Sequence, residues 1–474
     1  MELSKRTKRL EPSVTLAAAA KAKALKAKGR DVLSLTVGEP DFATPENIQE
    51  AAIEAIRNGK ASYYTPTAGI PELRQAIVDY LKKNDGLVYE SSQTVVTDGA
   101  KFALYTLFQT ILDPQDEVII PVPYWVSYGE QVKLAEGLPV FVKGKESNNW
   151  KVTVEQLEQA RSGKTKAVII NSPSNPTGMI YSKNELQAIG EWAVKNDILI
   201  VADDIYGRLV YNGNEFTPIA TISEAIKNQT IIINGVSKTY AMTGWRIGYA
   251  VGNPEIINGM IAVASQSTSN PTAVSQYAAV EALKGEQDTV EEMRNAFEER
   301  LNTLYPLVAE LPGVSLEKPQ GAFYLFPNVK ETLRMCKYEN VTQWVEDLLE
   351  EIVGEIDDES DEVENLYEKI DEHEYIIQGR MLIDEFNEAF DSDLHMSDVD
   401  TMAGYLITAL GMIPDEGEKL SFDVDNITLV SEEMEGSRIL KIRVIFHDPE
   451  ETEAEPEEER RYFRKEFEED EPRR

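Results

Sequence analysis

The chain has 474 residues, and its 83 acidic residues outnumber its 47 basic residues, for a formal net charge of −36. This charge argues against nucleic acid and anionic membrane surfaces as partners, and no apolar run approaches the roughly 18 residues of a membrane span. The single cysteine, Cys336, excludes an internal disulfide and predicts a reducing, cytoplasmic location.

The first informative segment joins a predicted strand, Thr94–Thr97, to a predicted helical run, Phe102–Ile111. Gly99, Ala100 and Lys101 lie between them. The first amides of a helix have no partner within the helix, and they bind phosphate where glycine allows a close approach. The junction therefore predicts a phosphate site.

Two further candidates follow. Trp125 comes after the strand Val118–Ile120, and Asn175 lies in a turn that Pro176 and Gly178 define. An indole offers a flat face to a ring, and an amide can donate a hydrogen bond to a phenolic oxygen. Taken alone, each residue is more often a core tryptophan or an ordinary turn asparagine.

Asp203 ends the predicted strand Ile198–Ala202, and Tyr206 follows three residues later. A buried carboxylate can keep a pyridinium nitrogen protonated, and a tyrosine hydroxyl is a second neutral donor to a phenolic oxygen. The ordinary alternative is an aspartate that caps a helix.

Lys238 stands just past the predicted strand Thr230–Ile233, and Arg246 follows eight residues later. An amine in this position can form a Schiff base with an aldehyde, and a guanidinium binds phosphate through two oxygens. Both cations could instead be solvated surface groups. The apolar neighbours Met242 and Ile247 predict a buried segment, which favours a functional role.

Taken together and in this order, these candidate residues supply what a pyridoxal phosphate site needs. The sequence resembles the fold-type I aminotransferases, which use this cofactor. Within that family it is most similar to the bacterial aspartate aminotransferase-like branch. The resemblance runs from about residue 4 to about residue 350. It rests on the following segments: Val37–Phe42, Tyr64–Arg74, Pro123–Tyr128, Asn175–Gly178, Asp203–Tyr206, Ser237–Lys238, Gly244–Gly248 and Gly321–Tyr324.

The resemblance implies a role for each candidate. Lys238 would be the Schiff-base lysine and proton shuttle, with Asp203 on the ring nitrogen. Asn175 and Tyr206 would bond the phenolic oxygen, and Trp125 would stack on the ring. The implied phosphate ligands are Gly99, Ala100, Lys101, Ser237 and Arg246, with Tyr64 reaching the phosphate of the neighbouring subunit in a homodimer. The implied substrate-binding residues are Gly38, Trp125 and Asn175.

The composition changes near residue 350. Residues 351–474 hold 40 acidic and 12 basic residues, a net charge of −28, which leaves −8 for the preceding 350 residues. All three histidines also lie beyond this point. Such a change indicates a module of different origin. The histidine spacings fit no compact ligand motif, so we expect no metal site.

The aminotransferase pattern stops at the same place. The family would continue with a strand carrying an arginine that binds the substrate α-carboxylate, and that segment is not found. Residues 352–447 instead resemble the transporter-associated domain of haemolysin-C and CorC-type efflux proteins. Arg443 could replace the missing arginine, but a surface strand arginine is the ordinary interpretation.

This stretch predicts a small α+β unit. Its predicted elements are the strand Tyr375–Gln378, the helices Leu382–Phe390 and Thr401–Leu410, and the strands Leu420–Val424, Ile427–Ser431 and Ile439–Phe446. Residues 449–474 read as an acidic tail, expected to be disordered or a marginal helix.

The predicted architecture is an α/β fold with three layers in a large domain, residues 49–282, whose helices cover both faces of a mostly parallel sheet. A small domain would combine residues 1–48 and 283–351, including an opening helix, Leu16–Leu25, and a strand, Val32–Thr36. The acidic α+β module would occupy residues 352–448. The basic, alanine-rich start could also be a transit segment, a less favoured interpretation.

Three functions are compatible with this sequence. The first is amino-group transfer from aspartate or another amino acid to 2-oxoglutarate. The second is a cofactor-binding protein with little turnover, whose C-terminal module is an interaction or regulatory unit fused to it. The third is a carbon–sulfur or decarboxylating enzyme on the same fold, since such enzymes share the lysine, aspartate and asparagine.

Overall fold

The structure is a computed structural model that describes residues 4, 7–10, 38–345, 366–371, 373–390, 392–396, 399, 401–412, 418–435 and 438–447. Within it the chain divides into two compact units, Met1–Tyr338 and Glu339–Arg474. The predicted opening helix Leu16–Leu25, the predicted strand Val32–Thr36, the boundary near residue 351 and the acidic tail lie outside the described residues.

A seven-stranded sheet forms the centre of the N-terminal unit. Its strands are β1 (Thr94–Thr97), β2 (Glu117–Val122), β3 (Leu138–Lys143), β4 (Thr165–Asn171), β5 (Leu199–Asp203), β6 (Thr230–Gly235) and β7 (Gly248–Val251). Their order across the sheet is β1-β7-β6-β5-β4-β2-β3. Only β7 runs antiparallel to its neighbours, which agrees with the predicted mostly parallel sheet.

Helices surround this sheet. They are α1 (Glu46–Arg57), α2 (Pro71–Asp85), α3 (Ala100–Ile111), α4 (Ser127–Leu134), α5 (Val154–Ala160), α6 (Lys183–Lys195), α7 (Glu224–Asn228), α8 (Pro254–Ser265), α9 (Ala273–Lys284), α10 (Asp288–Ala309) and α11 (Lys330–Cys336). Local signals place several of them: Ser182, for example, caps α6 by accepting the Glu185 amide, and the Glu185 carboxylate accepts the Ser182 amide in return.

The sheet is buried on both faces, as successive strand residues show. In β4, Val168 and Ile170 pack into one core with α5 and α6, whereas Ile169 packs into another with α3, α4 and α8. Alternation of period two places neighbours on opposite faces, so a strand of continuous apolar residues needs helices on both sides. This confirms the predicted three-layer α/β fold.

The C-terminal unit is a five-stranded antiparallel sheet with two helices. Its elements are β8 (Tyr367–Asp371), β9 (Glu374–Gln378), α12 (Ile383–Phe390), α13 (Met402–Leu410), β10 (Ser421–Val424), β11 (Ile427–Glu435) and β12 (Arg438–Phe446), with the order β10-β11-β12-β9-β8. Every predicted element is found within a few residues, and β11 extends four residues further than predicted. The sequence analysis missed β8, because its side chains are mostly polar and exposed.

The core of this unit belongs to it alone. Ile377, Phe386, Leu406, Leu429 and Ile442 are fully buried within a single apolar cluster. No helix in the part of the chain that the structure describes is long and apolar enough to cross a membrane.

Candidate active site

The site lies where the parallel strands of the large sheet end. Asn171 closes β4 and pairs in register with Asp203, the last residue of β5, which pairs in turn with Ile233 of β6. The carboxyl ends of parallel strands meet at one edge of a sheet, and ligands bind in the crevice outside that edge. The loops that carry Asn175, Tyr206 and Lys238 all leave from this edge.

Asp203 is buried, with 3% of its surface exposed. The Tyr128 hydroxyl donates to its Oδ2 at 2.6 Å, and the Ile205 amide donates to its Oδ1 at 3.2 Å. Desolvation raises the pKa of this carboxyl to about 6, while the two hydrogen bonds and the charge of Lys238 act in the opposite direction. Asp203 is therefore mainly ionised at neutral pH and is able to stabilise a buried cation opposite it.

Lys238 carries its amine to the same place. Its Nζ donates to the carbonyl oxygen of Gly38 and lies 5.5 Å from the centre of the Phe323 ring and 6.0 Å from that of Tyr206. Desolvation lowers the pKa of Lys238 to about 8; Glu39 and Asp203 oppose this shift, whereas Arg246 adds to it. A lowered pKa leaves part of the population as the neutral amine, which is the nucleophilic form.

Three polar groups converge beside this amine. The hydroxyls of Tyr206 and Tyr324 are 2.6 Å apart, and Nδ2 of Asn175 donates to the Tyr324 hydroxyl at 3.3 Å. Burial raises the pKa of Tyr206 well above its ordinary value, so the group stays protonated and neutral. The arrangement supplies neutral hydrogen-bond donors to an acceptor placed between them.

The start of α3 forms a cradle for an anion. Gly99 precedes α3 with φ of 85°, and the helix has no side-chain cap. A Cβ at Gly99 would overlap the Arg246 guanidinium, which donates to the carbonyl oxygen of Asp98 at 3.3 Å. Exposed helix-start amides, a glycine that admits close approach and a guanidinium beside it fit a phosphate group. The residues present thus suit the phosphate of pyridoxal phosphate.

The remaining residues of the cradle differ in their exposure to solvent. Ser237 is buried as expected, and Met242 and Ile247 are fully buried around it. Arg246 itself is exposed, in a left-handed conformation with φ of 56°, and Lys101 is exposed as well. The segment is thus buried through its apolar side chains, while the guanidinium of Arg246, like the ammonium group of Lys101 on α3, is exposed.

Trp125 is half-buried at the other side of the site. Its ring meets that of Tyr128 edge-on, with centroids 5.4 Å apart, and the ammonium group of Lys101 lies 4.9 Å from its centre. Because Tyr128 also holds Asp203, the indole is fixed relative to that carboxylate. Trp125 is thereby placed to offer an aromatic face within the crevice.

One predicted residue, Tyr64, has no described contact with this cluster, and Arg443, interpreted from the sequence as an ordinary surface arginine, has partners of its own. Tyr64 is 92% exposed, and among the described contacts none joins it to the residues around Lys238. Arg443 is held within the C-terminal unit: its Nε and Nη2 donate to Glu432 at 3.0 Å, and its Nη1 pairs with Glu374. Its guanidinium is therefore occupied by two carboxylates.

The sequence analysis missed the contributions of Tyr128 and Tyr324. Both stand at the ends of segments that carried the family resemblance, but nothing in their spacing indicated which side chains they would contact. The described residues contain no group of His, Cys, Asp and Glu that could hold a metal ion.

Comparison with known proteins identifies the family of each part of the chain. Residues 30–356 match the family model for aminotransferase class I and II, and residues 368–448 match that of the transporter associated domain. An asparagine–oxo-acid transaminase of Streptococcus mutans is 62% identical over 350 residues, which cover 74% of this chain and 89% of that protein. An aspartate aminotransferase of Bacillus subtilis is 54% identical over 351 residues, with the same coverage.

A solved structure of aspartate aminotransferase from Thermus thermophilus with maleate superimposes with a TM-score of 0.67. It is 42% identical and covers 69% of this chain and 85% of its own. The family model spans well over half of the sequence, and both relatives are covered over most of their length. The chain therefore belongs to the class I and II aminotransferases and is a transaminase that depends on pyridoxal phosphate.

Proposed function

We propose that this transaminase moves an amino group between aspartate, or a close relative such as asparagine, and 2-oxoglutarate. The observation that carries the proposal is the position of Lys238, an amine of lowered pKa at the crevice that Asp203, Tyr206 and Asn175 line. The similar proteins from Streptococcus mutans and Bacillus subtilis act on asparagine and aspartate by name, which supports the substrate class.

The proposed roles follow from charge and hydrogen bonding. Asp203 holds a negative charge opposite the cofactor's ring nitrogen, while Tyr206 and Asn175 donate to its phenolic oxygen. Trp125 packs against the ring face. When bound, pyridoxal phosphate supplies the electron sink that makes the substrate α-proton acidic. Lys238 would take that proton from the α-carbon and hold it at Nζ, because its lowered pKa suits a general base near neutral pH.

The phosphate is assigned to the cradle at the start of α3. Gly99, Ala100 and Lys101 offer backbone amides, with Ser237 and Arg246 adding side-chain donors. Desolvation and the nearby Arg246 both lower the pKa of the Lys101 ammonium group, which also lies 4.9 Å from the centre of the Trp125 ring.

The proposed assembly is a homodimer in a reducing compartment. Tyr64 is exposed, and burying its aromatic ring at a subunit interface would be favourable because it removes apolar surface from water. At such an interface its hydroxyl could reach the phosphate bound by the partner subunit. The one cysteine, Cys336, is exposed and free, which suits the cytoplasm. The acidic module that the sequence places at residues 352–448 is proposed to be separate and to have no part in the chemistry.

The comparisons favour transamination over the alternative of a cofactor-binding fusion protein with little turnover. A carbon–sulfur or decarboxylating enzyme would share Lys238, Asp203 and Asn175, but the similar proteins reported above are transaminases. Transamination of aspartate, or of a close relative such as asparagine, therefore stands as the single proposed activity.

A spectroscopic titration tests it. The purified protein is mixed with pyridoxal phosphate and then with aspartate, asparagine or alanine, while the visible absorption of the bound cofactor is followed. We expect a visible band that aspartate or asparagine bleaches at concentrations at which alanine has little effect. A protein that forms no band would contradict the cofactor site, and a band that alanine bleaches equally would contradict the substrate class.

A further inference from the structure

Asp204, the residue that follows β5, is a second buried carboxyl group that none of the roles above uses. Tyr128, which donates to Asp203, belongs to the core that includes α3, α4 and α8. Asp204 instead lines a cavity with Tyr240 and Tyr249, which belong to the core that includes α1, α2 and α9. The two neighbouring carboxyl groups therefore lie on opposite faces of the sheet, as successive strand residues do.

Asp204 is buried without a hydrogen-bond donor. Only 6% of its surface is exposed. Two hydrogen bonds reach Asp203, but no residue that the structure describes donates one to the carboxyl group of Asp204. Burial and the charges of Asp203 and Asp85 raise the pKa of Asp204 well above its ordinary value. A buried carboxyl group that is neither paired nor hydrogen-bonded is more stable when it is protonated.

Among the described residues that line the cavity, the only cation is Arg208, and it already has partners. Its Nε donates to the Tyr80 hydroxyl at 2.8 Å, and its guanidinium lies 5.2 Å from the centre of the Tyr80 ring. Its Nη2 lies 4.0 Å from Oδ1 of Asp85. Arg208 therefore balances the charge of Asp85, and the lining offers no second cation to Asp204.

The titratable and charged groups that face Asp204 come from several elements. They are Asp203 on β5, Tyr80 and Asp85 on α2, Tyr89 before β1, Arg208 after β5, Tyr240 after β6 and Tyr249 on β7. Burial raises the pKa of each of these tyrosines, so all four stay neutral. The formal charges that remain are two carboxylates and one guanidinium. A charge on Asp204 would therefore face more negative than positive charge.

The cavity has room and partners for water. Its volume of about 20 Å³ exceeds the roughly 10–15 Å³ that one water molecule needs. Nη2 of Arg208 is buried without a hydrogen-bond partner in the described structure. The Tyr249 hydroxyl lies near the same groups, because Asp85, Asp204 and Arg208 all act on its pKa. With Asp204 protonated and Arg208 paired to Asp85, the lining has no net charge, so a neutral occupant that both donates and accepts hydrogen bonds fits it.

We infer that Asp204 keeps its proton at neutral pH and donates a hydrogen bond to water held in this cavity, so that the end of β5 carries a single negative charge, on Asp203. The water site does not depend on the proposed function. Only the use of the charge on Asp203 opposite a cofactor cation rests on that function. The environments of the two neighbouring carboxyl groups thus give them different protonation states.

The test compares infrared spectra of the full-length protein at pH 7, with and without pyridoxal phosphate. The variant is Asp204→Asn, which is similar in size and uncharged. The control is Asp79→Asn. Asp79 is exposed on α2 and accepts a hydrogen bond from Gln75 at 2.8 Å, so this change removes an ordinary solvated carboxylate. Circular dichroism confirms that both variants fold.

The parent should show the carbonyl absorption of a protonated carboxyl group at pH 7, and Asp204→Asn should lose that absorption while Asp79→Asn keeps it. Unfolding in urea at pH 7 should release about one proton more per chain from the parent than from Asp204→Asn, because the carboxyl group ionises once it reaches water. A crystal structure of the parent should show water within hydrogen-bond distance of the Asp204 carboxyl group.

Several results would overturn the inference. If Asp204→Asn keeps the acid absorption, or releases as many protons as the parent, then Asp204 is ionised in the folded protein. A dry cavity would contradict the water site, and a cation bound at Asp204 would contradict both parts. A parent that forms no visible band with pyridoxal phosphate would contradict the proposed function and leave these measurements unaffected.

Discussion

The two units of the chain handle charge in opposite ways. In the N-terminal unit Asp203 and Asp204 are buried, at 3% and 6% exposure, and burial raises the pKa of both. In the described part of the C-terminal unit Ser431 is the only buried polar side chain. Its charged groups, such as Arg443 and Glu432, form ion pairs on the sheet surface.

This difference separates a catalytic arrangement from a structural one. Burying a carboxylate without a full ion pair destabilises a fold, and such residues persist where chemistry needs them. Ion pairs on a surface stabilise a fold slightly and perform no reaction by themselves. The contrast can be tested by substitutions in both units.

The largest effect is expected at Lys238. Lys238→Ala removes the proposed nucleophile and general base and should lower the transamination rate at least about 1,000-fold, since general base catalysis alone contributes 10²- to 10⁴-fold. A coupled assay for oxaloacetate measures the loss. The control is Lys227→Ala, which removes a lysine paired with Glu224 and should change the rate less than about twofold.

The next largest effect concerns the C-terminal core. Phe386 is fully buried there, and Phe386→Ala should destabilise its unit by about 3–5 kcal/mol. Calorimetry should show one unfolding transition shifted to lower temperature while affinity for pyridoxal phosphate stays constant. The surface substitution Lys441→Ala, which breaks a pair with Glu433, should change stability by less than about 1 kcal/mol. A loss of cofactor affinity in Phe386→Ala would show that the units are coupled.

Asp203→Asn should abolish most activity and yet stabilise the cofactor-free protein. The folded-state pKa of Asp203, about 6, lies above its ordinary value of 3.8. The ionised Asp203 carboxylate therefore destabilises the folded, cofactor-free protein above pH 6. This destabilisation is relieved as the pH falls from 6 towards 3.8. The stabilisation at pH 7 should be up to about 3 kcal/mol. Urea unfolding across this pH range measures the change in the free energy of unfolding. A variant that is less stable than the parent at pH 7 would contradict the claim that the buried Asp203 carboxylate destabilises the fold.

Gly99→Ala should weaken cofactor binding by roughly 10-fold, because the added Cβ overlaps Arg246 and the backbone is left-handed. Gly59→Ala provides a control for substitution at a positive φ. Gly59 has φ of 77° and ψ of 2°, against 85° and 163° at Gly99, and nothing lies within 4 Å of the added Cβ, so that variant places alanine at a positive φ without the collision. Equal affinity for pyridoxal phosphate in the two variants would place the phosphate elsewhere.

The smallest effect is expected at Glu432, and it has the opposite sign to that at Asp203. Hydrogen bonds from Arg443 and Lys419 lower the pKa of Glu432 to about 2, below its ordinary value of 4.5. Its stabilisation is therefore present above pH 4.5 and is lost as the pH falls towards 2. Glu432→Gln should destabilise the C-terminal unit by less than about 1 kcal/mol at pH 7, because the group is near the surface. If Glu432→Gln stabilised the C-terminal unit, the contrast between a stabilising surface ion pair and a destabilising buried carboxylate would be contradicted.

The strand ends that carry the site could be predicted from the sequence. Runs such as Ile198–Ala202 are apolar throughout, which is typical of a strand buried on both faces, and each is followed by a polar residue of defined chemistry. The order of Asn175, Asp203 and Lys238 then followed the order of the strands. The strands and helices of the C-terminal unit were predicted nearly as well, and alternation marked the last strand in particular.

Contacts between distant segments could not be predicted in this way. Tyr128 meets Asp203 across 75 positions and Tyr324 meets Tyr206 across 118. Such contacts depend on how loops fold over the sheet edge, which local pattern does not encode. The sequence analysis did not predict β8 for another reason, because its exposed and charged sequence shows no apolar alternation.

One measurement tests the central claim most directly. The protein loaded with pyridoxal phosphate is treated with borohydride, digested, and searched by mass spectrometry for the pyridoxyl group. The account predicts the group on the peptide that contains Lys238, and predicts that prior incubation with aspartate prevents the labelling. Labelling mainly at another lysine such as Lys101, or labelling of Lys238 that aspartate leaves unchanged, would contradict it.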